Sequence, residues 1–230
     1  MKPIVLIPAR GGSKRIPRKN IVEISGQNAL TILILKLTGM NLFEEIVVST
    51  DDDEISRISR SAGASVIKRS SPELSNDTTP SEDVVRDFIK VRDLKNSENP
   101  VLCVYPLAIL LSETEIIEAI NVLSESPEKF VISAGESPIN PLRHNFKIEG
   151  SNISVLFSEN NEKRSQDLEK VFFDVGMFYL AHPKTWMDAE KYWFKNNSRV
   201  IVIPQENCID VDTEDDLIKL KIQYAKTNLN

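Results

Sequence analysis

Five short apolar runs, spaced along the first 134 residues and separated by segments with helical signals, set the first limit on how this chain can fold. They occupy residues 2–9, 46–50, 64–68, 101–105 and 130–134. Runs of this length with little polar alternation read as strands buried on both faces. Between them, 29–40 is apolar nearly all round and calls for cover on both sides. Residues 112–124 carry helical spacing at Ile116, Ile117, Ile120 and Leu123. Asp51, Asp52, Asp53 and Glu54 crowd the positive end of a further helix that Gly63 stops, which reads as capping rather than as a metal site. Ser81, with Glu82 and Asp83, reads as the N-cap of a helix ending near Arg92. Strands alternating with helices in this way predict an α/β fold of three layers, a mostly parallel, doubly wound sheet.

Near Pro138 the regime changes. Residues 138–181 lose the helical period and show short alternating pieces at 146–148 and 153–157, expected as antiparallel hairpins standing off the main sheet. The sheet is expected to resume over 199–203, and a last helix to run over 213–225. A chain of 230 residues can bury one sizeable core, and no repeat divides it. Residues 1–230 are therefore read as a single domain with 138–181 as an excursion.

The net charge is −6 and the sequence pI about 5.2. That balance argues against general affinity for nucleic acid or for an anionic membrane. The longest apolar run after the first strand, 30–37, is broken by Thr31 and Lys36 and is too short to span a bilayer. The chain begins with a strand rather than a secretory leader. Cys103 and Cys208 give neither metal spacing nor a disulfide framework. A cytoplasmic protein is expected.

Against this acidic background one loop stands out. Lys and Arg number 28 in 230 residues, yet Arg10, Lys14, Arg15, Arg18 and Lys19 fall within ten. Gly11 and Gly12 stand side by side in the same stretch, directly after the first strand. A Gly-rich, cationic loop at the carboxyl end of strand one is where open α/β sheets hold polyanions, so it is expected to grip a nucleoside triphosphate. The rival is a solvated charged arm; the paired glycines and Pro17 favour an ordered loop. Neither G-x-x-x-x-G-K-[ST] nor G-x-G-x-x-G is present, so a P-loop enzyme and a dinucleotide-binding domain find no support.

A second constellation lies at 209–216. In an extended segment Asp210 and Asp212 point the same way and offer two hard oxygen ligands with room left for phosphate and water, which suits Mg²⁺. Alternatively Asp212 or Thr213 caps the last helix, and both readings can hold together. Glu214, Asp215 and Asp216 are left to capping.

Taken in order, the motifs resemble one family. The run Ile7-Pro8-Ala9-Arg10-Gly11-Gly12-Ser13-Lys14-Arg15-Ile16-Pro17-Arg18-Lys19-Asn20-Ile21 resembles the opening motif of the acylneuraminate cytidylyltransferases. Arg69 with Pro72-Glu73-Leu74 and Asp77-Thr78 resembles their second loop. Arg164-Ser165-Gln166-Asp167-Leu168 and Asp174-Val175-Gly176-Met177-Phe178-Tyr179 resemble their sugar-side stretch, and Ile209-Asp210-Val211-Asp212-Thr213 their metal-binding end. The R-S-Q-D-L and D-x-G-x-F-Y pattern is most like the branch acting on pseudaminic acid. The resemblance implies a nucleotide-diphospho-sugar transferase-like fold and transfer of CMP from CTP to the anomeric hydroxyl of a nine-carbon 2-keto sugar acid, with release of pyrophosphate. Sialic or legionaminic acid as substrate, or a catalytically silent CTP-binding subunit, are the alternatives.

The resemblance also implies roles. Lys14, Lys19, Arg10 and the backbone around Gly11, Gly12 and Ser13 would hold the triphosphate, with Lys19 catalytic. Asn20 and Ser81 would position ribose or base, and Arg69 would lie near phosphate or cytosine. Asp210 and Asp212 would bind Mg²⁺ and take part in catalysis. On the sugar side stand Tyr105, Arg164 for the carboxylate, and Gln166 and Asp167. The 138–181 excursion resembles the family's dimerisation arm, which implies a homodimer. The run Tyr105-Pro106-Leu107-Ala108-Ile109-Leu110 departs from the T-x-P-like turn of family members, so the sugar pocket is expected to be reshaped there. His144 and His182 are given no role.

Overall fold

The computed structural model describes residues 1–143, 145–188 and 198–227, so His144 lies outside the described residues. In chain order the elements are β1 (Ile4–Pro8), a small ladder of β2 (Glu23–Ile24) and β3 (Gln27–Asn28), α1 (Ala29–Met40), β4 (Glu45–Ser49), α2 (Asp53–Ser61) and β5 (Ser65–Ile67). They continue with α3 (Ser81–Val91), β6 (Val101–Val104), α4 (Glu113–Glu125), β7 (Phe130–Glu136), the hairpin β8 (Phe146–Glu149) and β9 (Asn152–Val155), and β10 (Phe172–Ala181). Last come α5 (Pro183–Asp188), β11 (Ser198–Val202) and α6 (Glu214–Thr227).

Seven strands form one sheet in the order β11-β7-β10-β6-β1-β4-β5. β1 runs parallel to β4 and β6, β4 to β5, and β7 to β11, while β10 is antiparallel to both its neighbours. The three layers follow from the pleat. Val5 and Ile7 of β1 join a core with Leu30, Leu33 and Leu37 of α1, Ile55 of α2, Ile116 of α4 and Leu217 of α6. Ile4 and Leu6, pointing the other way, join Val85, Phe88 and Ile89 of α3 and Trp186 of α5. Trp186 donates its indole N–H to the Val101 carbonyl at 3.1 Å.

Local chemistry sets the helix ends. Asn28 caps α1 by accepting from the Thr31 N–H at 2.9 Å, and Asn41 closes it in the left-handed region at φ 56°. Ser112 and Glu115 form a reciprocal capping box on α4. α3 differs from expectation. Pro80, not Ser81, is its N-cap, and no side chain caps it; the Ser81 hydroxyl instead accepts from Tyr105. The sheet also resumes earlier than the periodicity predicts. Residues 172–181, expected off the main sheet, form β10 between β6 and β7; a strand buried only in its second half shows weak alternation. The hairpin β8–β9 does stand apart as a separate two-stranded sheet.

Candidate active site

The chain leaves β1 for β4 and β5 on one side, then returns to place β6 on the other. That switch point is where open sheets leave a crevice beyond the carboxyl ends of their strands. A cavity of about 680 Å³ occupies it. Its walls come from the loops that follow β1, β5, β6 and β11, together with the first half of the antiparallel β10.

Four of the five loop cations, Arg10, Lys14, Arg15 and Lys19, line this cavity, as do Ser13 and Asn20. Ile16, buried among the α1-side core residues, pins the loop from within, so the loop is ordered rather than a solvated arm. Asn20 closes it by donating to the Arg10 carbonyl at 2.8 Å. Arg18 goes elsewhere. In the left-handed region at φ 56°, it turns to Asp52, 2.6 Å away, and to Glu54 at the start of α2. Gly11 serves the same junction: its N–H donates to Asp51 at 3.1 Å, and a Cβ there would fall 2.9 Å from that of Asp52. Gly12 lies beside it with open space around it. The acidic run at 51–54 therefore caps α2 through Asp52 and also anchors the cationic loop.

Arg69 enters from the loop after β5. Its guanidinium donates to the Leu74 carbonyl at 2.7 Å and the Ser75 hydroxyl at 3.2 Å, while its buried Nε has no partner among the described residues. Burial lowers its affinity for the proton. Asp77, which sequence reading left without a role, bridges two of the cations: Arg10 at 2.5 Å and Lys14 at 2.6 Å. Those contacts, Lys14 foremost, hold its carboxyl below the usual range.

Asp210 and Asp212, from the loop after β11, line the same cavity. Thr213 and Asp216 cap α6 reciprocally, the Thr213 N–H donating to Asp216 at 3.1 Å and the Asp216 N–H to the Thr213 hydroxyl at 3.3 Å. Asp212 is thereby released from capping and faces Arg15 at 2.8 Å and Lys19 at 3.5 Å. Burial works against its charge, but these two cations outweigh it and hold the carboxyl low. Asp210 behaves oppositely: desolvation, then the Asp212 charge, push it above the ordinary range, against the pull of Lys19. Two hard carboxylates crowding one edge are what a divalent cation relieves. Among the described residues no group of three or more potential ligands is assembled, so such a cation would complete its shell with substrate oxygens.

Ser81, Tyr105, Leu107, Ala108, Asp174 and Tyr179 complete the lining. The Tyr105 hydroxyl donates to Ser81 at 2.6 Å, and burial raises its pKa. The unconventional turn after β6 proves to be a buried apolar wall, with Leu107 and Ala108 facing the cavity. Arg164, Gln166 and Asp167 are exposed and fall outside the cavity lining. Asp77 and Asp174 are site residues that sequence reasoning missed. Tyr179, which with Phe178 reads from the sequence either as pocket lining or as strand packing, lines the cavity, while Phe178 is buried in the core. All three stand inside quoted motifs, which was the available signal.

A sequence model described as cytidylyltransferase matches residues 4–177. The chain belongs to the cytidylyltransferase family. This cytidylyltransferase is 36% identical over 226 residues to a pseudaminic acid cytidylyltransferase of Campylobacter jejuni, covering 97% of each chain. It is 33% identical over 221 residues to an N-acylneuraminate cytidylyltransferase of Streptococcus agalactiae, covering 95% of this chain and 52% of that one. Its fold matches a CMP:2-keto-3-deoxy-manno-octonic acid synthetase solved with CTP, with TM-score 0.70 at 15% identity, covering 99% of this chain and 100% of that one. That likeness supports the nucleotidyltransferase fold, an α/β mostly parallel sheet. Among the described residues no helix is long and apolar enough to cross a membrane.

Proposed function

We propose that this cytidylyltransferase transfers CMP from CTP to the anomeric hydroxyl of pseudaminic acid, a nine-carbon 2-keto sugar acid, and releases pyrophosphate. The observation that carries the reading is one cavity lined by the cations of the β1 loop and Arg69 and by the Asp210–Asp212 pair, with Asp212 within reach of Arg15 and Lys19. The similarity along 97% of each chain to the Campylobacter jejuni pseudaminic acid cytidylyltransferase supports pseudaminic acid as the sugar.

Arg10, Lys14 and Arg69 bind the triphosphate, whose oxygens compete with Asp77 for the first two cations. Ser13, whose N–H is taken by the Gly11 carbonyl at 3.2 Å, offers its hydroxyl to phosphate beside Gly11 and Gly12, and Asn20 and Ser81 position the nucleoside. Lys19, shared with Asp212, meets the charge that develops on the leaving pyrophosphate. Asp210 and Asp212 hold Mg²⁺, which when bound neutralises phosphate charge and makes the attacking hydroxyl more acidic. Asp210, whose proton affinity is raised by burial and by Asp212, is oriented toward the same edge. Tyr105 contributes to the sugar pocket, while Arg164, Gln166 and Asp167, exposed and outside the cavity lining, carry no part of this reading.

The protein works as a homodimer. In the β8–β9 hairpin Phe146 pairs with Val155 and Ile148 with Ile153, so four apolar side chains share one face, each at least 44% exposed. A two-stranded ribbon does not hold such a face in water by itself, and a second copy covers it. Two free cysteines and a CTP requirement suit the cytoplasm. Incubation with CTP, Mg²⁺ and pseudaminic, sialic or legionaminic acid, followed by pyrophosphate assay, tests the reaction. Release with pseudaminic acid is expected; silence with all three sugars would sink the proposal.

A further inference from the structure

β10 does not pair evenly with β7. Asp174 faces Ala134 and Tyr179 faces Ile132, so five steps along β10 match two along β7. The surplus gathers in a bulge around Gly176, whose φ of 67° favours glycine. Ser133, fully buried on β7, holds the bulge: its hydroxyl accepts from the Met177 N–H at 3.0 Å and the Phe178 N–H at 3.3 Å. The Met177 carbonyl accepts from the Tyr105 N–H at 3.0 Å. Bulges beside active sites re-aim side chains, and here the side chain is Asp174.

Its carboxylate is fixed at both oxygens. One accepts from the Gly176 N–H at 2.9 Å and the other from the Tyr179 hydroxyl at 2.7 Å. Tyr179 is itself set edge-on to Tyr105, with ring centroids 5.8 Å apart. Each carboxylate oxygen has more than one lone pair, so Asp174 keeps acceptor capacity in the cavity wall it lines. Asp210 and Asp212 line that cavity too, so Asp174 adds a third carboxylate to its acidic part. An acidic edge repels a triphosphate. What a preorganised carboxylate can hold there is an uncharged hydrogen-bond donor.

We infer that Asp174 is a recognition residue for the second substrate, accepting a hydrogen bond from a ring hydroxyl or an acylamino N–H of the sugar acid. This rests on the proposed function, and the two fail separately: the wild-type rate reports on the reaction, the ratio of variant to wild type on Asp174. Steady-state kinetics of Asp174→Asn should show KM for the sugar acid raised about 10- to 100-fold. KM for CTP and the Mg²⁺ half-saturation point should stay within about twofold, the scatter of a change that touches neither. Tyr179→Phe keeps the ring edge and removes one anchor, so a smaller rise in sugar KM, about three- to tenfold, is expected. CTP binding by calorimetry verifies that both variants fold. An unchanged sugar KM, an equal rise in KM for CTP, or a shifted Mg²⁺ dependence (which would make Asp174 a metal ligand) overturns the inference. Analogues lacking one ring hydroxyl or one acylamino group separate the two donors. The analogue missing the group that Asp174 reads is handled equally by wild type and variant, and failure of every such analogue to close the gap also overturns the inference.

Discussion

Lys14 and Arg18 stand four residues apart in one loop and do different work. Lys14, its side chain 83% exposed, reaches the cavity, while Arg18 turns back on Asp52 and Glu54. Lys14→Ala should raise KM for CTP about three- to tenfold with the unfolding temperature unchanged. Arg18→Ala should lower the unfolding temperature, because it frees the loop from α2. Kinetics and thermal melts on the pair check this; a melt unchanged in Arg18→Ala would refute the anchoring role. Asp212 faces Arg15 and Lys19 of the same loop. Asp212→Asn should cut turnover by on the order of 100-fold or more while circular dichroism and melting remain near wild type. Near-normal pyrophosphate release from that variant would remove Asp212 from the metal and catalytic roles.

Among the elements, the start of α2 is where stability and pH meet. The Arg18 hydrogen bond, opposed by burial and aided by the Ile55 N–H, holds the Asp52 carboxyl below its ordinary value. A depressed carboxyl stabilises the fold fully above its unfolded pKa of about 3.9, and that contribution is lost as pH falls through the folded value. Urea midpoints between pH 5 and pH 3 should therefore fall more steeply for wild type than for Arg18→Met; parallel curves would count against the coupling. The capping at 51–54 was legible because it is local: Asp52 accepts from the backbone N–H three residues on, as Asn28 and Ser112 do in the structure at the starts of α1 and α4. Ser81 was misread for the converse reason. Its hydroxyl is claimed by Tyr105, a residue 24 positions away, which no local pattern announces.

For the whole molecule, the exposed apolar face of β8–β9 is the feature on which the proposed homodimer rests. Ile148, 74% exposed and paired with Ile153, lies within it. Sedimentation velocity should show a dimer for wild type and a monomer for Ile148→Asp, with the monomer still folded by circular dichroism. A monomeric wild type at micromolar concentration would dismiss the homodimer.

The sheet, the cationic loop and the carboxylate pair were readable because strand and helix periodicity, loop composition and i, i+2 spacing are properties of neighbouring residues. The sequence by itself thus determined the α/β class and which loops carry charge. Only the tertiary structure decided where those charges point. Arg18 turns to α2, Asp77 bridges Arg10 and Lys14, and β10 enters the sheet antiparallel with a bulge that Ser133 supports. Each depends on partners more than 30 residues away in sequence. Burial, charge pairing and strand register between distant segments exist only once the chain has packed, and they bring a basic loop and an acidic pair together in one cavity.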